Sequence, residues 1–115
     1  MVTTNILGTL YDIELTDLNN PDFAENDGKC FIFDKKIVIR EPQYLLMNGS
    51  DEAKRERFRQ VLLHELVHGF CEESKVHYDD NEDLVDWIAG MIPKITVAYD
   101  DIIEQFKEIE NGYKN

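Results

Sequence analysis

The spacing of apolar and polar residues changes character twice along the chain. From Val2 to Leu15, Thr, Ile, Leu and Tyr dominate and roughly alternate with polar residues around Leu10, Asp12, Ile13 and Glu14. A period of two predicts a strand, with Gly8 as a place for a bulge. Residues 16–28 then gather Asp17, Asn19, Asn20, Pro21, Asn26, Asp27 and Gly28, a concentration of turn formers that predicts a loop. From Lys29 to Arg40, Phe31, Phe33, Ile37 and Ile39 flank the polar Asp34-Lys35-Lys36. That pattern fits a hairpin turning at Asp34-Lys35, or one bent strand.

After the Asn48-Gly49-Ser50 turn the period lengthens. Phe58, Leu62, Leu66 and Phe70, with Val61 and Leu63 beside them, follow helical spacing from Asp51 to about Glu73, and Ser50 or Asp51 can cap that helix. A short polar link, residues 74–81, precedes a second helix starting near Glu82, with Asp80 or Asn81 as its cap. Pro93 is expected to end or kink it. Ile95, Ala98, Ile102, Phe106 and Ile109 mark a third amphipathic helix that fades at Asn111-Gly112.

Composition narrows the class. A chain of 115 residues with 43% hydrophobic residues reads as one domain spanning 1–115, long enough to build a core without disulfides or a structural metal. Its formal charge of -12 argues against nucleic acid or a membrane surface as main partner. The Lys54 to Arg59 cluster reads as a solvated face beside Glu52 and Glu56. Cys30 and Cys71 form no CxxC pair and no disulfide framework, so reduced thiols are expected. With no basic segment leading into an apolar run and no apolar stretch of about 18 residues, a cytoplasmic protein is expected.

The chemistry concentrates in His64-Glu65-Leu66-Val67-His68, an HExxH pattern inside the first helix. Residues i and i+4 share a helix face, so both imidazoles can bind one zinc ion at about 2.0–2.1 Å. Glu65, one position along, is placed to take a proton from a water activated there rather than to bind the metal. The plainer reading, one histidine in the core and one in a polar network, competes with this but leaves the five-residue spacing unexplained.

A catalytic zinc needs a third protein ligand. Glu72 lies one helical turn past His68 and points alongside the row rather than at the ion. Ser74 stands where an HExxHxxGxxH enzyme has its third histidine. Glu82 and His77 remain. Glu82 and Asp86 share a face at the start of the second helix, so Asp86 can orient a ligand histidine if Glu82 binds zinc. Both acids would also suit a solvated helix N-terminus. His77 could instead be the ligand or stabilise an oxyanion, with Tyr78 as the alternative for that role.

HExxH followed by Asn81-Glu82-Asp83-Leu84-Val85-Asp86 resembles the gluzincin metallopeptidases. The run Glu82 to Ala89 is similar to the ExxAxxFA-type segment of the ImmA/IrrE family of small phage and mobile-element metallopeptidases, with Val85 for the usual Ala and Ile88 for Phe. The likeness spans about His64 to Lys94, through the Pro93-Lys94 ending, and points most nearly to small zincin-like proteins of bacteriophages. It implies zinc held by His64, His68 and Glu82, Glu65 as general base, Asp86 supporting a ligand histidine, and peptide hydrolysis inside a bacterial host.

These readings predict an α+β domain of minimal zincin type: a small antiparallel sheet from the N-terminal third packed on the HExxH helix, then the Glu82 helix and a C-terminal helix. Trp87 and Phe70 are expected to pack the two ligand-bearing helices together. A peptide substrate would add to an edge strand, from Phe31-Phe33 or Ile37-Ile39. The competing functions are a zinc-dependent regulatory protein without hydrolysis and a metal-free acidic interaction domain.

Overall fold

A computed structural model describes residues 2–17, 26–46 and 48–112, so most of the loop expected over 16–28 lies outside the described residues. The chain is α+β, with a four-stranded sheet followed by helices. Strands β1 (Val2–Ile6) and β2 (Thr9–Thr16) form an antiparallel hairpin. β3 (Gly28–Phe31) and β4 (Lys36–Arg40) form another. The sheet order is β1-β2-β4-β3.

Two expectations about the sheet are corrected here. Val2 to Leu15 is not one strand with a bulge: Ile6 pairs with Thr9, and Leu7 (φ 51°) and Gly8 (φ 96°) make the two-residue turn between them. Both central residues have positive φ, the geometry that matches strand twist in tight hairpins, and Asn5 Oδ1 accepts the Gly8 N–H at 2.7 Å. Nor is the sheet wholly antiparallel, because β2 and β4 run parallel in its middle, with Ile13 opposite Ile37 and Leu15 opposite Ile39. Two consecutive hairpins placed side by side through β2 and β4 give this mixed sheet. The Asp34-Lys35 hairpin is present, with Lys35 supplying the left-handed residue (φ 53°) that glycine would usually provide.

β4 is the central strand that meets the helical layer, and Ile37, Val38, Ile39 and Arg40 are all buried. Covered on both faces, it reads as a continuous apolar run rather than an alternation. Helix α1 (Asp51–Ser74) crosses the sheet, capped by Ser50, whose side chain accepts the Ala53 N–H at 3.1 Å. Val61 joins Ile6, Tyr11, Ile37 and Ile39 in the core, with Phe58, Leu62 and Leu66 packed against it. Gly69 lets α1 approach the first hairpin: a Cβ there would come within 2.9 Å of Ile6 Cδ1.

Asn81 caps helix α2 (Glu82–Gln105), its side chain accepting the Leu84 N–H at 3.2 Å. Pro93 does not divide this helix, so the expected second and third helices are one rod, followed after Phe106 by the short α3 (Lys107–Asn111). Proline removes one hydrogen bond from a helix interior, here the bond to the carbonyl of the buried Ala89, while Pro93 itself lies on an exposed stretch. α2 meets α1 through the buried Val85 and Ala89. Trp87 and Phe70, expected at that contact, are 59% and 44% exposed. The period of α2 places residue 87 on the opposite side from 85 and 89.

Candidate metal centre

The HExxH segment lies in the second half of α1, with Glu65 and Gly69 among the helix's buried residues. His64 and His68, one turn apart, have ring centroids 5.0 Å from each other. Across from them stands Glu82, the first residue of α2, delivered by the capped helix start. Its Oε2 lies 3.0 Å from His64 Nε2 and its Oε1 3.2 Å from His68 Nε2. Ligand atoms of His64, His68 and Glu82 fall within 4.8 Å of one another, so the three form a group able to hold a metal ion.

The other nitrogen of each ring is also occupied. Asp86 Oδ1 stands 2.8 Å from His64 Nδ1, and Asp79 Oδ2 stands 3.0 Å from His68 Nδ1. Asp86 comes from the next turn of α2, while Asp79 comes from a 3-10 turn, Tyr78–Asp80, in the link before it. The four imidazole nitrogens thus face four carboxylate oxygens. Two neutral imidazoles carry only two N–H protons between them. With the protons on Nδ1, both Nε2 lone pairs point at Glu82, an arrangement that requires two extra protons or one divalent cation between ring and carboxylate. Two imidazoles and one carboxylate suit a catalytic zinc, and a carboxylate behind each histidine is the usual support for a ligand ring.

Glu65 sits on the inner side of the same helix and is 7% exposed. Burial raises its pKa above the ordinary carboxylate value, against the lowering effect of His64 and His68, and the Cys30 backbone N–H bonds to its carboxylate. Gly28 on β3 makes this close approach possible. A Cβ at that position would lie 2.7 Å from Val61 Cγ1 and 3.2 Å from Glu65 Cγ.

A cleft of about 500 Å3 opens over the histidines, bounded by β3, by Arg57, Gln60 and Val61 of α1, and by Glu82 and Asp86. β3 is an edge strand of the sheet, and of the first of the two segments expected to receive a peptide, Phe31-Phe33, it is Ile32 that borders the cleft, while Phe31 and Phe33 do not. The other expected segment, Ile37-Ile39, is internal: β4 is paired on both sides by β2 and β3. Arg57 also departs from expectation, since it pairs with Asp27 at 2.8 Å on the cleft wall instead of serving only a solvated face.

His77 and Tyr78 are exposed and neither borders the cleft. Glu72 is not in the metal-holding group. Cys30 and Cys71 are free. Burial, with Glu65 as the next cause, pushes the Cys30 thiol up to about 12, so it stays protonated at neutral pH, and it is not in the metal-holding group. Sequence reasoning missed Asp79. Its only signal was an acidic residue in a short link that must pass over the HExxH face. Comparison of the chain with known protein families, with curated proteins and with solved structures gives no match, and the centre is described by its geometry alone.

Proposed function

We propose that the chain is a zinc-dependent metallopeptidase, in the manner of the small ImmA/IrrE-like enzymes its HExxH and NExxxD motifs resemble. The observation that carries this reading is the pair of Nε2 atoms facing one carboxylate while both Nδ1 atoms are held by aspartates. Zinc, when bound, supplies a Lewis acid that polarises a peptide carbonyl and acidifies water. His64, His68 and Glu82 would hold it, and Asp86 and Asp79 fix the tautomer and orientation of the two rings.

Glu65 accepts the proton released by the attacking water at its carboxylate and returns it to the departing amine as the C–N bond breaks. A carboxyl whose pKa is raised by burial suits both halves of that transfer better than a solvated one. β3 offers an extended substrate backbone partners alongside the cleft.

A second reading, a zinc-binding regulatory protein that hydrolyses nothing, is favoured by one observation: Glu65 is nearly inaccessible and already bonded to the Cys30 amide. One experiment separates the two. Metal content and cleavage of candidate peptides are measured for the native chain and for Glu65→Gln. Stoichiometric zinc in both proteins with cleavage only in the native chain establishes the peptidase. Zinc in both and equal behaviour toward the partner establishes the regulator, and absence of zinc from the native chain refutes both.

A further inference from the structure

The contact between α2 and α1 belongs to a longer pattern. Val85, Ile88, Ile92, Ile95, Tyr99, Ile102, Phe106 and Ile109 follow one another at alternating intervals of three and four along α2 and α3. This is the a/d seam of a coiled coil, whose mean spacing of 3.5 residues keeps one stripe aimed at a partner helix. Within the chain only the beginning of the seam is covered. Val85 is buried against α1 and Ile88 is partly covered, whereas every residue from Ile92 to Gly112 is exposed. The helical line continues through Phe106, whose N–H bonds to the Ile102 carbonyl at 3.2 Å.

We propose that a second copy of this chain covers the seam, with the two α2 helices packed antiparallel. The positions flanking the seam decide the kind of partner. Thr96, Ala98, Ile103 and Gln105 stand beside it and carry no charge, Glu110 near its end is the one charge beside it, and Lys94, Asp100, Asp101, Glu104, Lys107 and Glu108 all lie farther round the helix. Flanking charges are what direct a coiled coil to an unlike partner or prevent self-pairing, and between Ile92 and Phe106 there are none. Residues 91–112 carry Lys94 and Lys107 against Asp100, Asp101, Glu104, Glu108 and Glu110, an acidic excess that disfavours an anionic lipid surface.

Orientation follows from register and charge. Antiparallel pairing sets Ile92 against Ile109, Ile95 against Phe106 and Tyr99 against Ile102 of the other copy, and the twofold axis repeats each pair, so every exposed seam residue gains a partner. The globular bodies then sit at opposite ends. Parallel pairing would bring two bodies of a chain with charge -12 side by side. The six seam residues from Ile92 to Ile109 keep 38–61% of their surface open to solvent, apolar area of the kind that a standard interface of roughly 800 Å2 per partner buries.

The test is the solution mass of the intact chain, measured by light scattering. Twice the 13.5 kDa chain mass is expected, returning to the single-chain mass in Ile95→Glu/Ile102→Glu and staying doubled in Asp101→Lys, with far-UV circular dichroism checking that each variant folds. Mixing separately prepared Ile95→Cys and Phe106→Cys proteins should give an oxidised heterodimer in excess over either homodimer, with the native chain as control. Predominant 95–95 cross-links overturn the antiparallel arrangement. A native chain of single mass overturns the proposal, and partition of that monomer onto phosphatidylcholine or phosphatidylglycerol vesicles would assign the seam to lipid instead.

Discussion

Asp79 holds His68 through a 3.0 Å contact from Oδ2 to Nδ1, although residue 79 belongs to the link between the long helices and to neither of them. The link is therefore part of the candidate metal centre. Asp79→Ala is expected to weaken zinc binding about 10- to 100-fold, as is Asp86→Ala at the matching position behind His64. His77→Ala, two residues from Asp79 but away from the cleft, should leave affinity unchanged. Competition against a chromophoric chelator measures all three, and equal affinity for Asp79→Ala and the native chain would remove Asp79 from the site.

The HExxH helix, Glu82 at a helix start and Asp86 on the same face are readable from spacing, because helical periodicity directly places residues on a face; the cap is narrowed by sequence to Ser50 or Asp51, and the fold selects Ser50. Asp79 is not readable, since no period governs a link, and only the fold shows that the chain passes over His68 there. The N-terminal hairpin was hidden because Leu7 takes a left-handed conformation that sequence assigns to glycine. Pairing between β2 and β4 was unreadable for a different reason: a parallel contact between strands of two separate hairpins leaves no local mark. At Pro93 the local penalty was legible, but the apolar stripe on either side proved continuous.

Gly28→Ala should destabilise the chain by about 1–3 kcal/mol, the usual cost of inserting a methyl group where packing leaves no space. The new Cβ would meet Val61 Cγ1 at 2.7 Å, and a β-branched side chain in a helix has little rotamer freedom with which to yield. Gly69→Ala meets the far end of Ile6 at 2.9 Å and should cost less. Urea denaturation of the two variants tests the order. The reverse order would mean that β3, rather than Val61, moves aside.

Acid should weaken the fold through Glu73. Its carboxylate accepts from Thr9 Oγ1 at 2.6 Å, Tyr11 OH at 2.7 Å and Lys35 Nζ at 3.0 Å, tying the end of α1 to the sheet. These bonds, Thr9 first, hold its pKa at about 2, below the ordinary 4.5. Because the folded value is depressed, its stabilisation is complete above about pH 4.5 and is lost as pH falls toward about 2. Chelator-treated native protein and Glu73→Gln, compared by urea midpoint across this range, should converge in acid. Parallel pH profiles for the two proteins would refute the assignment.

Chelation should loosen α2 without dissolving the sheet. Ile6, Tyr11, Ile37, Ile39 and Val61 form the core without any residue of the metal group. α2 by contrast relies on Val85 and Ala89 plus Glu82, the candidate ligand at its first turn. At zinc about 100-fold above its dissociation constant the linked stabilisation is about 2.7 kcal/mol, so chelation should lower the melting temperature by roughly 10 °C in a domain of this size. Amide exchange should rise from Glu82 to Ala89 and stay slow in β4. Uniform acceleration would show that metal and core unfold as one unit.

The acidic half of the centre has an origin that its three-dimensional layout conceals. Asp79, Glu82 and Asp86 surround two histidines, yet they arise from one uninterrupted stretch, residues 79–86, comprising a tight turn, the Asn81 cap and the start of a helix. The half that carries the histidines is shorter still, residues 64–68. The centre is therefore a meeting of two modular peptides, and the second is portable. Grafted after a helix bearing HExxH at the same crossing, it would carry the ligand, both histidine supports and its own helix cap to a new scaffold in a single insertion.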